Sequence, residues 1–249
     1  MALPQIGTVH VWHARPGELD GAVPALDGET AHARRFLRED DRRRFLTGRA
    51  LARSVLGDYL GCPPTEISLA VTAFGKPYLC RDGGPDLRFN LSHSGSLVAL
   101  AVGIRDEVGI DVEADPPGNA DELVSIVLSG PERQAYQELP PPLRPAAFLR
   151  CWARKEALLK ACGAGLSYDP RTLTVGWQGD GSQTVAMPAS AARFAFRDLA
   201  LTGAAGSSVA LAAPEIAVVT LPWPAQGVAT GRSNGRSRST ANRFRNATV

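Results

Sequence analysis

Trp152, Glu156 and Lys160 stand four apart in the run Trp152-Ala153-Arg154-Lys155-Glu156-Ala157-Leu158-Leu159-Lys160. Four is the interval that stacks side chains on one face of a helix. An aromatic ring, a carboxylate and an ammonium in line can be an ordinary surface pair, worth about 0.3 kcal/mol, or the wall of a site. Upstream, Val108-Gly109-Ile110-Asp111-Val112-Glu113 alternates apolar with small or acidic residues, the period of a half-buried strand. Asp111 and Glu113 then project from one face, close enough for both to reach one small cation. Gly109 leaves room on that face for something bulky. Hard cations such as magnesium take oxygen ligands, typically one or two carboxylates plus phosphate oxygens.

Lysine usage sharpens this reading. Of 27 basic residues only Lys76, Lys155 and Lys160 are lysines. Where positive charge alone is wanted, this chain uses arginine. The three exceptions mark places that need a compact ammonium in place of a planar fork. Two further stretches carry polar chemistry: Phe74-Gly75-Lys76-Pro77-Tyr78, a Gly/Pro turn, and Asn90-Leu91-Ser92-His93-Ser94-Gly95, a strand leaving into a polar hairpin. Short hydroxyls, an imidazole and a glycine suit an anion.

The elements that position these residues follow from the pattern. The chain has 249 residues, 44% of them hydrophobic, enough for a substantial core. No apolar run approaches 18 residues, so no membrane span is expected. Met1-Ala2-Leu3-Pro4-Gln5 does not start a charged-then-apolar leader. Cys62, Cys80, Cys151 and Cys162 show no metal-like spacing and read as reduced thiols of a cytoplasmic protein. Five arginines and no acid lie after Pro224; the remainder has 22 basic and 25 acidic residues, net −3.

Strands are predicted near 6–12, 67–71, 87–91, 97–102 and 108–113, with a helix over about 42–60. Phe148 to Cys162 reads as a helix that Gly163 stops, with strands near 173–177, 193–199, 209–213 and 216–221. Element order repeats: Phe45-Leu46 opens the first helix as Phe148-Leu149 opens the second, and Gly95-Ser96-Leu97-Val98-Ala99-Leu100-Ala101 is echoed at Gly206-Ser207-Ser208-Val209-Ala210-Leu211-Ala212. The fold class is therefore α+β: two pseudo-two-fold-related subdomains, each a small antiparallel sheet packed on a long helix. The expected division is 1–110, 111–225 and a disordered basic tail over 226–249. The polar equipment is not repeated, which places one composite site between the halves. Asp111, Glu113 and Glu156 would ligate magnesium there, with Lys155, Lys160, His93 and arginines around a di- or polyphosphate. No GxxxxGK[ST] and no GxGxxG after a strand is present.

In these motifs the chain resembles the 4′-phosphopantetheinyl transferases of the larger single-chain, Sfp-like type. Gly75-Lys76-Pro77, Asn90 to Ser94, Val108 to Glu113 and Trp152 to Lys160 appear in that family's order and spacing. The resemblance implies transfer of the phosphopantetheine arm of coenzyme A to a serine of an apo acyl or peptidyl carrier protein, leaving adenosine 3′,5′-bisphosphate. It implies Gly75, Lys76 and Pro77 along the adenine and ribose. Asn90, Ser92, His93, Arg38, Arg44, Lys155 and Lys160 complete the set expected around coenzyme A. Glu156 would accept the serine proton and Lys160 would add charge at the leaving phosphate. Relatives often carry lysines where this chain has Glu29 and His32. A monomer is expected. A coenzyme A-binding relative without catalysis is the alternative, disfavoured by the intact Asp111, Glu113, Glu156 and Lys160. Nucleic-acid binding is disfavoured by the acidic folded part.

Two surface expectations complete the reading. Carrier docking is expected around Leu123 and Val127, an apolar stretch ahead of the helix-start signal Ser129-Gly130-Pro131-Glu132. The tail, rich in Gly, Ser, Thr, Asn and Arg, cannot repay its ordering entropy. Truncation after Pro224 should therefore leave the melting temperature and carrier modification unchanged. A cooperative loss of melting temperature in the truncated protein would show that the tail packs.

Overall fold

The unbroken apolar run from Leu97 to Val102 needs cover on both faces, and the fold supplies it. The computed structural model describes residues 1–73, 75–115, 120–163, 168–179, 183–187 and 192–223; the expected tail lies outside them. The run forms β5 (Leu97–Ile104). Val98, Leu100 and Val102 pack with Leu51, Val55 and Leu56 of α2 (Glu39–Leu60). Leu97, Ala99 and Ala101 face the other way, against Val108, Ile110 and Val112 of β6 (Val108–Glu113). Each fully buried Val or Leu contributes about 2 kcal/mol.

Two sheets result. In the first, β5 lies between β1 (Thr8–Ala14) and β4 (Leu87–Ser94), antiparallel to both. The outer edge of β1 takes β10 (Ala217–Pro222), which pairs in parallel. In the second, β6 pairs with β9 (Gly206–Leu211), then β8 (Arg193–Asp198) and β7 (Gln183–Ala186), all antiparallel. A separate ribbon joins β2 (Leu69–Val71) and β3 (Pro77–Leu79). The expected α+β architecture is present, one long helix to each sheet. β6 begins ahead of the 110/111 division, and β10 returns from the far end of the chain to the first sheet.

α5 (Arg144–Cys162) is the second long helix. It starts earlier than Phe148 because Pro145 is tolerated in the first turn, where its missing N–H costs nothing. It ends where expected, at Gly163 with φ +70°. The short helices α1 (Asp27–Ala33), α3 (Ala120–Val127) and α4 (Gly130–Glu138) complete the set. The capping box expected at Ser129 and Glu132 opens α4. The strand expected near 173–177 is absent. Leu173, Val175 and Trp177 are buried in alternation, but their backbone is bonded by side chains: Glu132 Oε1 accepts from Val175 N and Gly176 N at 2.8 and 2.9 Å, and Arg154 donates to the carbonyls of Val175, Gly176 and Gln178. Among the described residues no helix is long and apolar enough to cross a membrane.

α5 crosses β6 at Gly109. A Cβ there would lie 2.1 Å from the Ala157 carbonyl oxygen and 2.4 Å from Ala161 N. The bulky neighbour that Gly109 admits is thus the helix backbone itself. No side chain can rotate to relieve such a contact, so Gly109→Ala should cost at least about 3 kcal/mol, read as a fall in melting temperature or loss of soluble protein. Wild-type stability in this variant would show that α5 does not sit against β6 this closely.

Candidate active site

β4 and β6 are the facing edges of the two sheets, and they meet through side chains. Asn90 Oδ1 accepts from Ile110 N at 3.0 Å, Ser92 Oγ from Val112 N at 3.3 Å and Ser94 Oγ from Ala114 N at 3.1 Å. Residues 90, 92 and 94 share one face of β4 because strand side chains alternate. They satisfy edge amides that no strand pairs. The same hydroxyls reach the acids of β6: Ser92 Oγ donates to Asp111 Oδ1 at 3.2 Å and Ser94 Oγ to Glu113 Oε2 at 3.1 Å.

α5 closes the other side. Trp152, Glu156 and Lys160 are half-buried, while Ala153, Arg154, Lys155, Ala157, Leu158 and Leu159 are buried. The stripe read from the spacing therefore faces a cavity, a cleft of about 590 Å³ that Asp111 and Glu113 also line. Trp152 Nε1 donates to Glu113 Oε1 at 3.0 Å. Lys160 Nζ donates to Asp111 Oδ1 at 2.5 Å and to Ser92 Oγ at 3.1 Å. Among the described residues no hydrogen bond or ion pair engages the Glu156 carboxylate.

Three carboxyls around one ammonium are out of balance. Burial pushes the Asp111 carboxyl above the usual range, against the pull of Lys160 and Ser92. Glu113 is raised by burial and then by Asp111, with Trp152 and Ser94 opposing. Glu156 is raised by burial; Lys160 opposes, and Asp111 and Glu113 add to the rise. Asp111 Oδ2 is buried with no hydrogen-bond partner, a costly state for a carboxylate oxygen. This donor set fits a hard dication: all oxygen, excess negative charge, one atom unsatisfied. As the side chains stand, no three His, Cys, Asp or Glu groups among the described residues close on one ion.

The far end of the cleft is aromatic and basic. His32 stacks on Phe45, ring centroids 4.8 Å apart, and the Arg49 guanidinium lies 5.2 Å from the Phe45 centroid. Arg44 lines the same cleft, donating to the Gly95 carbonyl at 2.9 Å and pairing with Asp41. His93 stands at the rim, its pKa lowered by desolvation and then by Arg44 and Lys160. Gly75 and Pro77 also line the cleft. Arg49 and Phe45 belong to the run Arg42-Arg43-Arg44-Phe45-Leu46-Thr47-Gly48-Arg49, whose several arginines look alike in sequence, although four-residue spacing puts these two on one helix face.

Other expected site residues fall elsewhere. Lys155 is 1% exposed and pairs with Glu132 at 2.6 Å. It also donates to the carbonyls of Val127 and Pro170 at 2.8 and 3.0 Å. One residue along a helix is about 100° of rotation, which turns Lys155 into the core while Glu156 faces the cleft. Asn90 is buried in the ladder and is not among the cleft-lining residues. Arg38 is exposed ahead of α2 and is not among the cleft-lining residues. Lys76 points away from the cleft, towards Glu107 and the end of α5. Val127, the last residue of α3, is 1% exposed in the core, so a charge there would test folding; Leu123, on the same helix, lines a small cavity with Phe148 and Trp152.

Comparison with known proteins gives a consistent assignment. Residues 10–104 match the family "4′-phosphopantetheinyl transferase, N-terminal", and residues 107–212 match the "4′-phosphopantetheinyl transferase superfamily". The chain is 35% identical over 166 residues to the 4′-phosphopantetheinyl transferase HetI of Nostoc sp., covering 64% of this chain and 70% of that one. It is 33% identical over 173 residues to a 4′-phosphopantetheinyl transferase of Bacillus subtilis, covering 69% and 75%. To Sfp of Bacillus subtilis strain 168 it is 31% identical over 157 residues, covering 63% and 68%.

Each of the three raised carboxyls binds its proton more tightly folded than unfolded. Their contribution is therefore neutral at low pH and turns destabilising as pH rises through the folded values. In metal-free buffer at about pH 7.5, Glu156→Gln should hold or raise the melting temperature by roughly 2–4 °C. At about pH 4.5 the two proteins should converge. A fall in melting temperature at neutral pH would identify Glu156 as a structural ion-pair partner.

Proposed function

The chain belongs to the 4′-phosphopantetheinyl transferase superfamily, and from that premise we propose that it transfers the 4′-phosphopantetheine arm of coenzyme A to a serine of an apo acyl or peptidyl carrier protein. The observation that carries this reading is the composite wall: two acids from β6 and one from α5 share a cleft with a single ammonium, and one buried acid oxygen is unsatisfied.

Magnesium held by Asp111, Glu113 and Glu156 would supply positive charge to the diphosphate oxygens of coenzyme A. The protein's own residues do the rest. Trp152 and Ser94 fix the Glu113 carboxylate, and Ser92 fixes Asp111. Lys160 presents a point charge on the same wall, suited to the phosphate that departs. The aromatic and basic end formed by Phe45, Arg49, His32 and Arg44 suits a nucleotide carrying an extra phosphate. The carrier serine oxygen attacks the phosphorus bearing the pantetheine arm. The bond from that phosphorus to the bridging oxygen breaks, and adenosine 3′,5′-bisphosphate leaves with the electron pair. The serine proton passes to Glu156, directly or through one water. A carboxylate whose pKa is raised by burial is the stronger base for it.

Glu156→Gln is nearly isosteric and removes one negative charge. Transfer should fall by at least about a hundredfold, while coenzyme A binding, measured by calorimetry, persists through the nucleotide end. The magnesium dependence of the residual activity should also shift to higher concentration. Near-normal transfer by this variant would remove both the ligand and the base assignments.

A further inference from the structure

We propose that Lys76 is a positioning residue, not a ligand contact: its ammonium straps the ribbon that walls the cleft to the last turn of α5 and the start of β6. The kinetic consequence rests on the coenzyme A reading above; the strap itself does not.

Leu69 and Leu79 rest the ribbon on the first core, but among the described residues its turn end is exposed and has no such anchor. β2 and β3 belong to neither sheet, and Val71 and Tyr78 are 55% and 46% exposed. A two-stranded ribbon alone is marginally stable. Its turn is bonded across its base: Thr72 N donates to the Lys76 carbonyl at 2.9 Å, Gly75 N to the Thr72 carbonyl at 2.9 Å and Lys76 N to Thr72 Oγ1 at 3.1 Å. Wherever Lys76 is held, Gly75 and Pro77 of the cleft lining are held too.

The ammonium has three donors and finds three acceptors: Glu107 Oε2 at 2.8 Å, the Lys160 carbonyl at 3.0 Å and the Val108 carbonyl at 3.3 Å. No donor remains for a ligand. The Lys160 carbonyl lies in the last turn of α5, at the negative end of the helix dipole. Lys160 also supplies the ammonium at Asp111, so the strap fixes the backbone that carries it. Glu107 is steadied in turn by Arg88 at 2.9 Å. Three acceptors from three directions suit a rotatable ammonium better than a planar guanidinium, which accounts for one of the rare lysines.

The test compares Lys76→Met, Glu107→Gln, the double variant and Arg88→Met. Two readouts apply: hydrogen exchange at the Gly75 and Lys76 amides, and the coenzyme A KM and kcat of carrier modification. The strap predicts faster exchange in both single variants. It predicts a KM raised roughly tenfold in Lys76→Met and several-fold in Glu107→Gln, with kcat within about twofold. The double variant should be no worse than Lys76→Met, and Arg88→Met, which only loosens Glu107 from an exposed position, should have a smaller effect than Glu107→Gln. A raised KM in Lys76→Met with Glu107→Gln at wild-type values in both readouts would mean that Lys76 contacts the ligand, and would overturn the proposal. Unchanged exchange in both single variants would overturn it equally. If wild type neither bound coenzyme A nor modified a carrier, the functional reading would fail while the exchange readout still decided the strap.

Discussion

The amides of Ile110, Val112 and Ala114 have no strand beside them, and the structure depends on how they are satisfied. Asn90, Ser92 and Ser94 do this from the facing edge of the first sheet. A second strand cannot fit between the edges, because the acids of β6 and the hydroxyls of β4 occupy the seam. The ladder thus joins the two halves and fixes the carboxylates in one arrangement. Losing one rung leaves a buried amide unpaired, at about 1–3 kcal/mol. It would also release the acid beside it. Stability and site geometry are the same bonds here.

Each lysine in the chain sits in a socket of several acceptors. Lys160 bridges Asp111 and Ser92 across the seam. Lys155 gathers Glu132 and the carbonyls of Val127 and Pro170 in the core of the second half. Lys76 gathers Glu107 and two carbonyls where the ribbon meets α5. The arginines do different work. Arg154 spreads its fork over Asp198 and a loop backbone, and Arg53 pairs with Glu29 in the first core. The chain uses ammonium where acceptors converge and guanidinium where they spread.

Much of this was legible in the sequence because helix and strand periods act over short range. The spacing of Trp152, Glu156 and Lys160 placed them on one stripe, and alternation in β6 put Asp111 and Glu113 on one face. The rest depended on which partner lay across the seam. Asn90 reads like a ligand contact until the edge of β6 is set beside it. Lys155 shares a motif with Glu156, yet helical rotation turns it into the core. Leu173, Val175 and Trp177 alternate like a strand, but Glu132 and Arg154 take their backbone groups in place of a neighbouring strand. Phe45 and Arg49 share a helix face by spacing alone, and only the stacking of His32, from a different segment, on Phe45 marks that face as part of the cleft.

The account holds that two halves with different polar equipment make one transfer site. Its most direct test is intact mass. Purified protein is incubated with coenzyme A, magnesium and a panel of apo acyl and peptidyl carriers, with a parallel set in chelator. At least one carrier should gain a single phosphopantetheine in magnesium and none in chelator. Unmodified carriers throughout, from a protein that still binds coenzyme A, would contradict the account.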